Sequence, residues 1–149
     1  MPDAVSRFSP SMIDQMSRES SMAAVERFRR SCAGDPLVIA AFLGGSHAAG
    51  TARPDSDIDL YVVTRPEDYA AFVERRQEFL LSWSEPTETE DVWDFEGLGF
   101  DMTTFALADG VYGEVAYGTT ANFLTLHGGP HEVLVDKTGL LEGVTFPLL

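Results

Sequence analysis

The sequence predicts one mixed α/β (α+β) domain with an added N-terminal helix. Three observations carry that prediction. A helix-period segment opens the chain, a short apolar run bounded by turn residues (Leu37 to Leu43) and a second strand pattern (Asp57 to Val63) follow it, and strand-like and helical patterns then alternate to the end. The 149 residues suffice for one domain and are short for two.

The elements follow in order. Residues 1–9 read as a loose leader. From Ser11 to about Arg30, Met12, Ile13, Met16, Met22, Val25 and Phe28 recur at helical spacing, and Gly34, Asp35 and Pro36 stop the helix. Leu37 to Leu43 is a continuous apolar run, as expected of a buried central strand. Gly44, Gly45 and Ser46 end it and open a short helix. A loop over 51–56 leads to a second strand, Asp57 to Val63. Thr64 and Glu67 have capping-box spacing, which predicts a helix from about Arg65 to Trp83 burying Tyr69, Phe72, Phe79 and Leu80. Residues 84–90 read as an acidic loop. Asp91 to Phe95 and Leu98 to Leu107 read as strands joined by a tight turn at Glu96-Gly97. The stretch 109–126 stays ambiguous: its glycines weaken a helix, yet its end, ANFLTL, fits one. His131 to Val135 is expected as a strand, with Leu140-Leu141 as a short continuation after a turn.

Charge is unevenly spread. Asp and Glu number 24 against 10 Lys and Arg, a net charge of −14. That excludes a broad basic groove for nucleic acid, because neutralising phosphates needs clustered cations. Between Arg76 and Lys137 there are twelve acids and no Lys or Arg, which suggests an acidic face suited to metal or a cationic ligand. A solvated acidic surface is the plainer reading of the same count. Cys32 is the single cysteine, so no disulfide framework or cysteine zinc site is expected. No apolar run approaches the ~20 residues of a membrane span, and no signal-peptide pattern opens the chain, so a cytoplasmic protein is expected.

The chemistry concentrates in GGSHAAGTARPDSDIDLYVV, Gly44 to Val63. A strand runs into Gly44-Gly45-Ser46, where missing side chains let backbone amides approach an anion beside a hydroxyl and a helix start. Asp57 and Asp59 open the next strand two residues apart, so both carboxylates share a face. Such a pair repels itself unless a cation sits between, and Mg²⁺ is the natural occupant. Either half alone is commonly a plain turn or an acidic strand start; joined, they serve one ligand.

This segment resembles the signature of the DNA polymerase beta nucleotidyltransferase superfamily, and is closest in motif to the antibiotic (aminoglycoside-type) and minimal nucleotidyltransferases. The resemblance implies a mixed β-sheet flanked by helices over about residues 36–141. It makes Asp57 and Asp59 ligands of two Mg²⁺ ions, and gives Gly45 and Ser46 the β- and γ-phosphates of an NTP, with ATP the expected nucleotide. The family adds a third carboxylate from a neighbouring strand. Asp101, in LGFDMTTFAL, is the candidate for metal and catalysis, with Asp94 its competitor. Arg53 faces the phosphates as a counter-charge, or is an exposed loop residue. His127 and His131 flank Gly128-Gly129-Pro130, which forbids the helix that would align them on zinc. His47 is read as solvated, and Trp83 and Trp93 as core.

The implied reaction is in-line transfer of NMP to a hydroxyl of a small-molecule acceptor, an aminoglycoside-like polycation. The alternatives are a minimal nucleotidyltransferase antitoxin that binds or AMPylates a partner toxin, and a catalytically silent nucleotide-binding relative. Residues 1–35 are expected as an N-terminal helical extension and 36–149 as the nucleotidyltransferase core domain. Antibiotic nucleotidyltransferases carry a further helical domain, so a missing C-terminal domain or a homodimer partner is expected to complete the site.

Overall fold

Pro36 and the apolar run behind it make a buried strand inside the sheet, second from its edge. In the computed structural model, which describes residues 9–53, 56–94 and 100–146, that strand is β1, Val38–Gly44, and every residue of it is buried. Helix α1, Pro10–Gly34, precedes it, started by the Ser9 side chain accepting from the Met12 amide and by proline in its first turn. Then come α2 (Gly45–Ala49), β2 (Ile58–Thr64), α3 (Tyr69–Glu74), α4 (Arg76–Trp83), β3 (Pro86–Val92), β4 (Asp101–Leu107), β5 (Tyr112–Thr119) and β6 (Glu132–Asp136). The strands form one six-stranded sheet in the order β3-β4-β5-β2-β1-β6. Only the β2–β5 pairing is parallel, so the sheet is mixed, as expected.

The two faces of the sheet differ. On one, Ile58, Leu60, Val62, Phe105, Val115 and Tyr117 pack beneath the helices. Phe28 of α1 meets Phe79 and Trp83 of α4 edge-on, with ring centroids 5.9 and 5.5 Å apart. Such pairs contribute about 1 kcal/mol each beyond burial, and they fix α1 to α4. The C-terminal half of α1 is thus part of the main core: Ala24, Phe28 and Cys32 are fully buried. On the other face, Phe42, Tyr61, Val63, Met102 and Ala116 are covered by Phe123, Leu126, Leu141 and Phe146. Among the described residues, no helix is long and apolar enough to cross a membrane.

Several sequence expectations are corrected. The acidic segment expected as a loop over 84–90 is largely strand: β3 pairs antiparallel with β4 along Glu88 to Val92. It is the sheet's outer strand, and its alternating Thr and Glu leave it exposed on both faces, which hides the usual apolar period. The capping box at Thr64 does not form. Thr64 is the last, fully buried residue of β2, and its hydroxyl donates to the Arg65 carbonyl instead. The helix expected over 65–83 is a 3-10 turn, Pro66–Asp68, followed by α3 and α4 with a break at Arg75. The Arg75 guanidinium reaches Asp35 at the end of α1, which ties that break down. The ambiguous stretch contains β5, and ANFLTL makes only a 3-10 turn, Phe123–Thr125. Leu140 and Leu141 do not extend a strand; their amides donate to the Asp136 carboxylate in a turn. The turn expected at Glu96-Gly97 lies outside the described residues.

Candidate active site

The start of β2 carries the site because β2 lies between β1, which ends in the glycines, and β5. Side chains alternate along a strand, so Asp59 shares the face of Tyr61, while Ile58 and Leu60 enter the helix-side core. Register then aligns residues across the sheet. Gly44 opposes Asp59, Asp59 opposes Glu114, Glu114 opposes Thr104, and Thr104 opposes Glu90. One transverse row therefore runs from the glycine loop to the outer strand, all on one face.

The glycines are tight against this row. Gly45 has φ +63°, and a Cβ there would sit 1.9 Å from Asp59 Oδ2. Any other residue would be strained in backbone and would displace the carboxylate. Ser46 follows in α2. His47 donates from Nε2 to the Ser56 carbonyl at 3.2 Å, holding α2 to the segment before Asp57. Arg53 is exposed, and its amide donates to the Ser56 hydroxyl.

Asp59 and Glu114 share a hydrogen bond, and both are harder to ionise than usual. Burial is the main cause for each. For Glu114, the charges of Asp59 and Asp57 add to it, and its carboxyl is pushed up to about 7. The two carboxyls face one another at close range, so the pair holds one proton between them. A cation between them would replace that proton. Among the described residues, no three His, Cys, Asp or Glu side chains stand already arranged as a metal-holding group. Asp57 is exposed on the rim of a cleft of about 470 Å³. Glu88, Glu90, Thr104, Tyr112 and Glu114 also line that cleft, and no Lys, Arg or His does.

Asp101 does not join these residues. It alternates with Thr103 and Phe105 onto the helix side, the opposite face from Asp59 and Glu114. Its register partner is Tyr117, three residues along β5 from Glu114. Its carboxylate accepts from the Tyr69 hydroxyl at 2.8 Å and from the Asp94 amide at 2.8 Å. The two sequence candidates for the third carboxylate are therefore bonded to one another, away from Asp57 and Asp59. The acid that does face Asp59 is Glu114, which sequence reasoning missed because 109–126 was not resolved into a strand. The signal was present as Val115-Ala116-Tyr117 flanked by glycines, a short β-prone run.

Trp83 is core, as expected, whereas Trp93 is exposed and lies over Arg76, 4.6 Å from guanidinium to ring centroid. His127 is buried rather than aligned with His131 on a metal.

No curated protein matches the sequence. Among solved structures, an aminoglycoside 6-adenyltransferase from Bacillus subtilis is similar, at 13% identity and a TM-score of 0.45, over 66% of this chain and 34% of that one. The chain thus spans about a third of that relative. A family model described as a nucleotidyltransferase domain matches residues 25–102, from the middle of α1 through β1, the glycine loop and β2 into β4. That match covers more than half of the chain, with the glycines and both motif aspartates inside it, and the chain belongs to the nucleotidyltransferase domain family of the polymerase beta-like superfamily.

Proposed function

We propose that this chain carries the catalytic face of a magnesium-dependent enzyme that transfers AMP from ATP to a hydroxyl of a small, amine-bearing acceptor of the aminoglycoside kind. The observation that carries the reading is the transverse row in which the Gly44-Gly45 turn lies directly on Asp59, and Asp59 on Glu114. An anion-holding loop and a carboxylate pair then serve one substrate.

The donor set suits magnesium. Oxygen ligands are what the ion prefers, and a half-buried carboxyl pair sharing one proton can exchange that proton for a cation. Asp59 and Glu114 would hold it, with Asp57 turning in from the cleft rim. When bound, magnesium would ease ionisation of the acceptor hydroxyl and offset charge on the triphosphate. The chain's own residues do the rest. Backbone amides around Gly45 and the Ser46 hydroxyl hold the β- and γ-phosphates, and Arg53 adds a counter-charge from its loop. Glu114 accepts the proton of the acceptor hydroxyl as that oxygen bonds to the α-phosphorus, and the bond to pyrophosphate breaks on the opposite side.

The acceptor lies over β3 to β5. Glu88 and Glu90 are positioned to meet ammonium groups there, since Glu90 is two strand spacings, about 10 Å, from Glu114. The test is pyrophosphate release by the full-length protein with ATP, Mg²⁺ and a panel of aminoglycosides and neutral sugars. Release that requires a polyamine acceptor supports the reading. Release with neutral sugars alone refutes the acceptor class, and no release with any acceptor refutes the transfer reaction.

A further inference from the structure

Two consecutive glycines begin the phosphate-holding turn, and they answer to different demands. Gly45 needs its positive φ. Gly44 does not: with φ −121° and ψ −161° it is extended backbone that any residue adopts. Space alone requires glycine there. A Cβ on Gly44 would lie 2.6 Å from His127 Cε1, 2.8 Å from Tyr61 Cε2 and 2.9 Å from His127 Nδ1. The Gly44 backbone is pressed against a wall of two rings.

That wall is itself fixed. The Pro130 carbonyl can only accept, so His127 donates from Nε2 to it at 2.7 Å. Nδ1 is left to accept from the Tyr61 hydroxyl at 3.2 Å. His127 is 7% exposed, with Phe146 5.4 Å from it on centroids, and Tyr61 stacks on Phe42 at 4.5 Å. Tyr61 also lies two residues from Asp59 on the same strand face. The wall therefore contacts the first residue of the turn and shares a strand with the carboxylate beneath it.

We propose that His127 is a positioning residue for the nucleotide: with Tyr61 it forms the back wall that seats the Gly44-Gly45-Ser46 turn at its working height over Asp59. This rests on the reading of that turn as the phosphate holder. His127 does not touch the phosphates; it acts through Gly44.

A double-mutant cycle tests it, with the affinity for Mg–ATP measured by calorimetry and the fold checked by thermal melting. Gly44→Ala in the wild-type background is expected to weaken Mg–ATP binding tenfold or more, because its methyl is driven into the wall. His127→Ala alone is expected to weaken binding several-fold by unseating the turn. In the His127→Ala background two of the three clashes are gone and the Tyr61 ring has room to move off the added methyl, so Gly44→Ala is expected to cost less than threefold. His127→Ser leaves the same opening and keeps a hydroxyl donor, and it carries the same cycle where His127→Ala melts too low. Equal losses from Gly44→Ala in both backgrounds, or wild-type affinity in the His127 variants, would overturn the wall while leaving the phosphate-holding turn intact. A wild-type protein that binds no Mg–ATP would overturn the turn's assignment, and the wall with it.

Discussion

Replacing Glu114 by Gln removes the one carboxyl whose ionisation the fold most opposes, while keeping a donor for Asp59. In the wild type that carboxyl ionises near 7, against 4.5 for an unstrained glutamate. A raised value means the folded state holds the proton more tightly than the unfolded chain. Wild-type stability is therefore full below about pH 4.5 and falls as pH rises through 7. A gap of this size would correspond to about 3 kcal/mol for a fully dry group. Glu114 is only half-buried and shares its proton with Asp59, so half of that, about 1.5 kcal/mol, is the expected loss. For a chain this long that is about 3–6 °C in Tm. Thermal melts in EDTA from pH 5 to 8.5 measure it directly. E114Q and wild type should differ least near pH 5, with the advantage of E114Q growing up to about pH 7 and level above it. Millimolar Mg²⁺ at pH 8 should raise the wild-type Tm and leave E114Q nearly unmoved. A stability difference that is flat in pH, or that grows towards acid, would refute the shared-proton account.

Three further outcomes are expected. Gly45→Ala should abolish Mg–ATP binding in calorimetry and cost about 1–2 kcal/mol in urea melts, since its methyl displaces the Asp59 carboxylate and its φ becomes unfavourable. Asp101→Asn should leave pyrophosphate release within about twofold of wild type while lowering stability by about 1 kcal/mol, through weaker bonds to Tyr69 and the Asp94 amide; Glu114→Gln should do the reverse and lose activity by about a hundredfold or more. Glu88→Gln with Glu90→Gln should raise KM for a polyamine acceptor about tenfold with little change in KM for ATP, and the wild-type acceptor KM should itself rise with salt, as screening weakens exposed charge pairs.

How much of this was legible depended on how local the signal was. Leu37 to Leu43 and Asp57 to Val63 announced their strands through composition, and Gly44 to Asp59 stood out as a candidate site because its glycines and both aspartates lie within one turn and the start of one strand. Asp101 misled for a physical reason. An acid in an apolar strand is unusual, but its face is set by parity within the strand and its neighbours by register across the sheet. Thr103 and Phe105 already put Asp101 opposite Met102; what the sequence did not contain was which of those faces Asp59 shares. Glu114 required recognising β5, whose Gly113 and Gly118 mask strand character. Both glycines have packing reasons: a Cβ on Gly113 would meet the Ile58 carbonyl at 2.4 Å, and one on Gly118 would meet Leu126 at 2.5 Å. Such reasons are tertiary and leave no trace in a local pattern. The same holds for Arg75, whose contact with Asp35 spans forty residues of sequence.

The charge asymmetry acquires a meaning from the row rather than from the total. At its glycine end lie the Gly44-Gly45 backbone and the Ser46 hydroxyl that the proposed function gives to phosphate, with Arg53 in the loop that follows α2. At its other end β3, β4 and β5 present Glu88, Glu90 and Glu114 to one cleft without a basic residue in its lining. The twelve acids between Arg76 and Lys137 include all three. A lysine in that stretch, on the cleft face, would pair with Glu90 or Glu114 and neutralise the end where the proposed amine-bearing acceptor would sit. It would also quench the repulsion that lets Asp59 and Glu114 exchange a proton for a metal ion. On the proposed reading, keeping β3 to β5 free of cations serves both the acceptor end and the metal end of one row, and the sheet register is what makes those two demands fall on the same segment of chain.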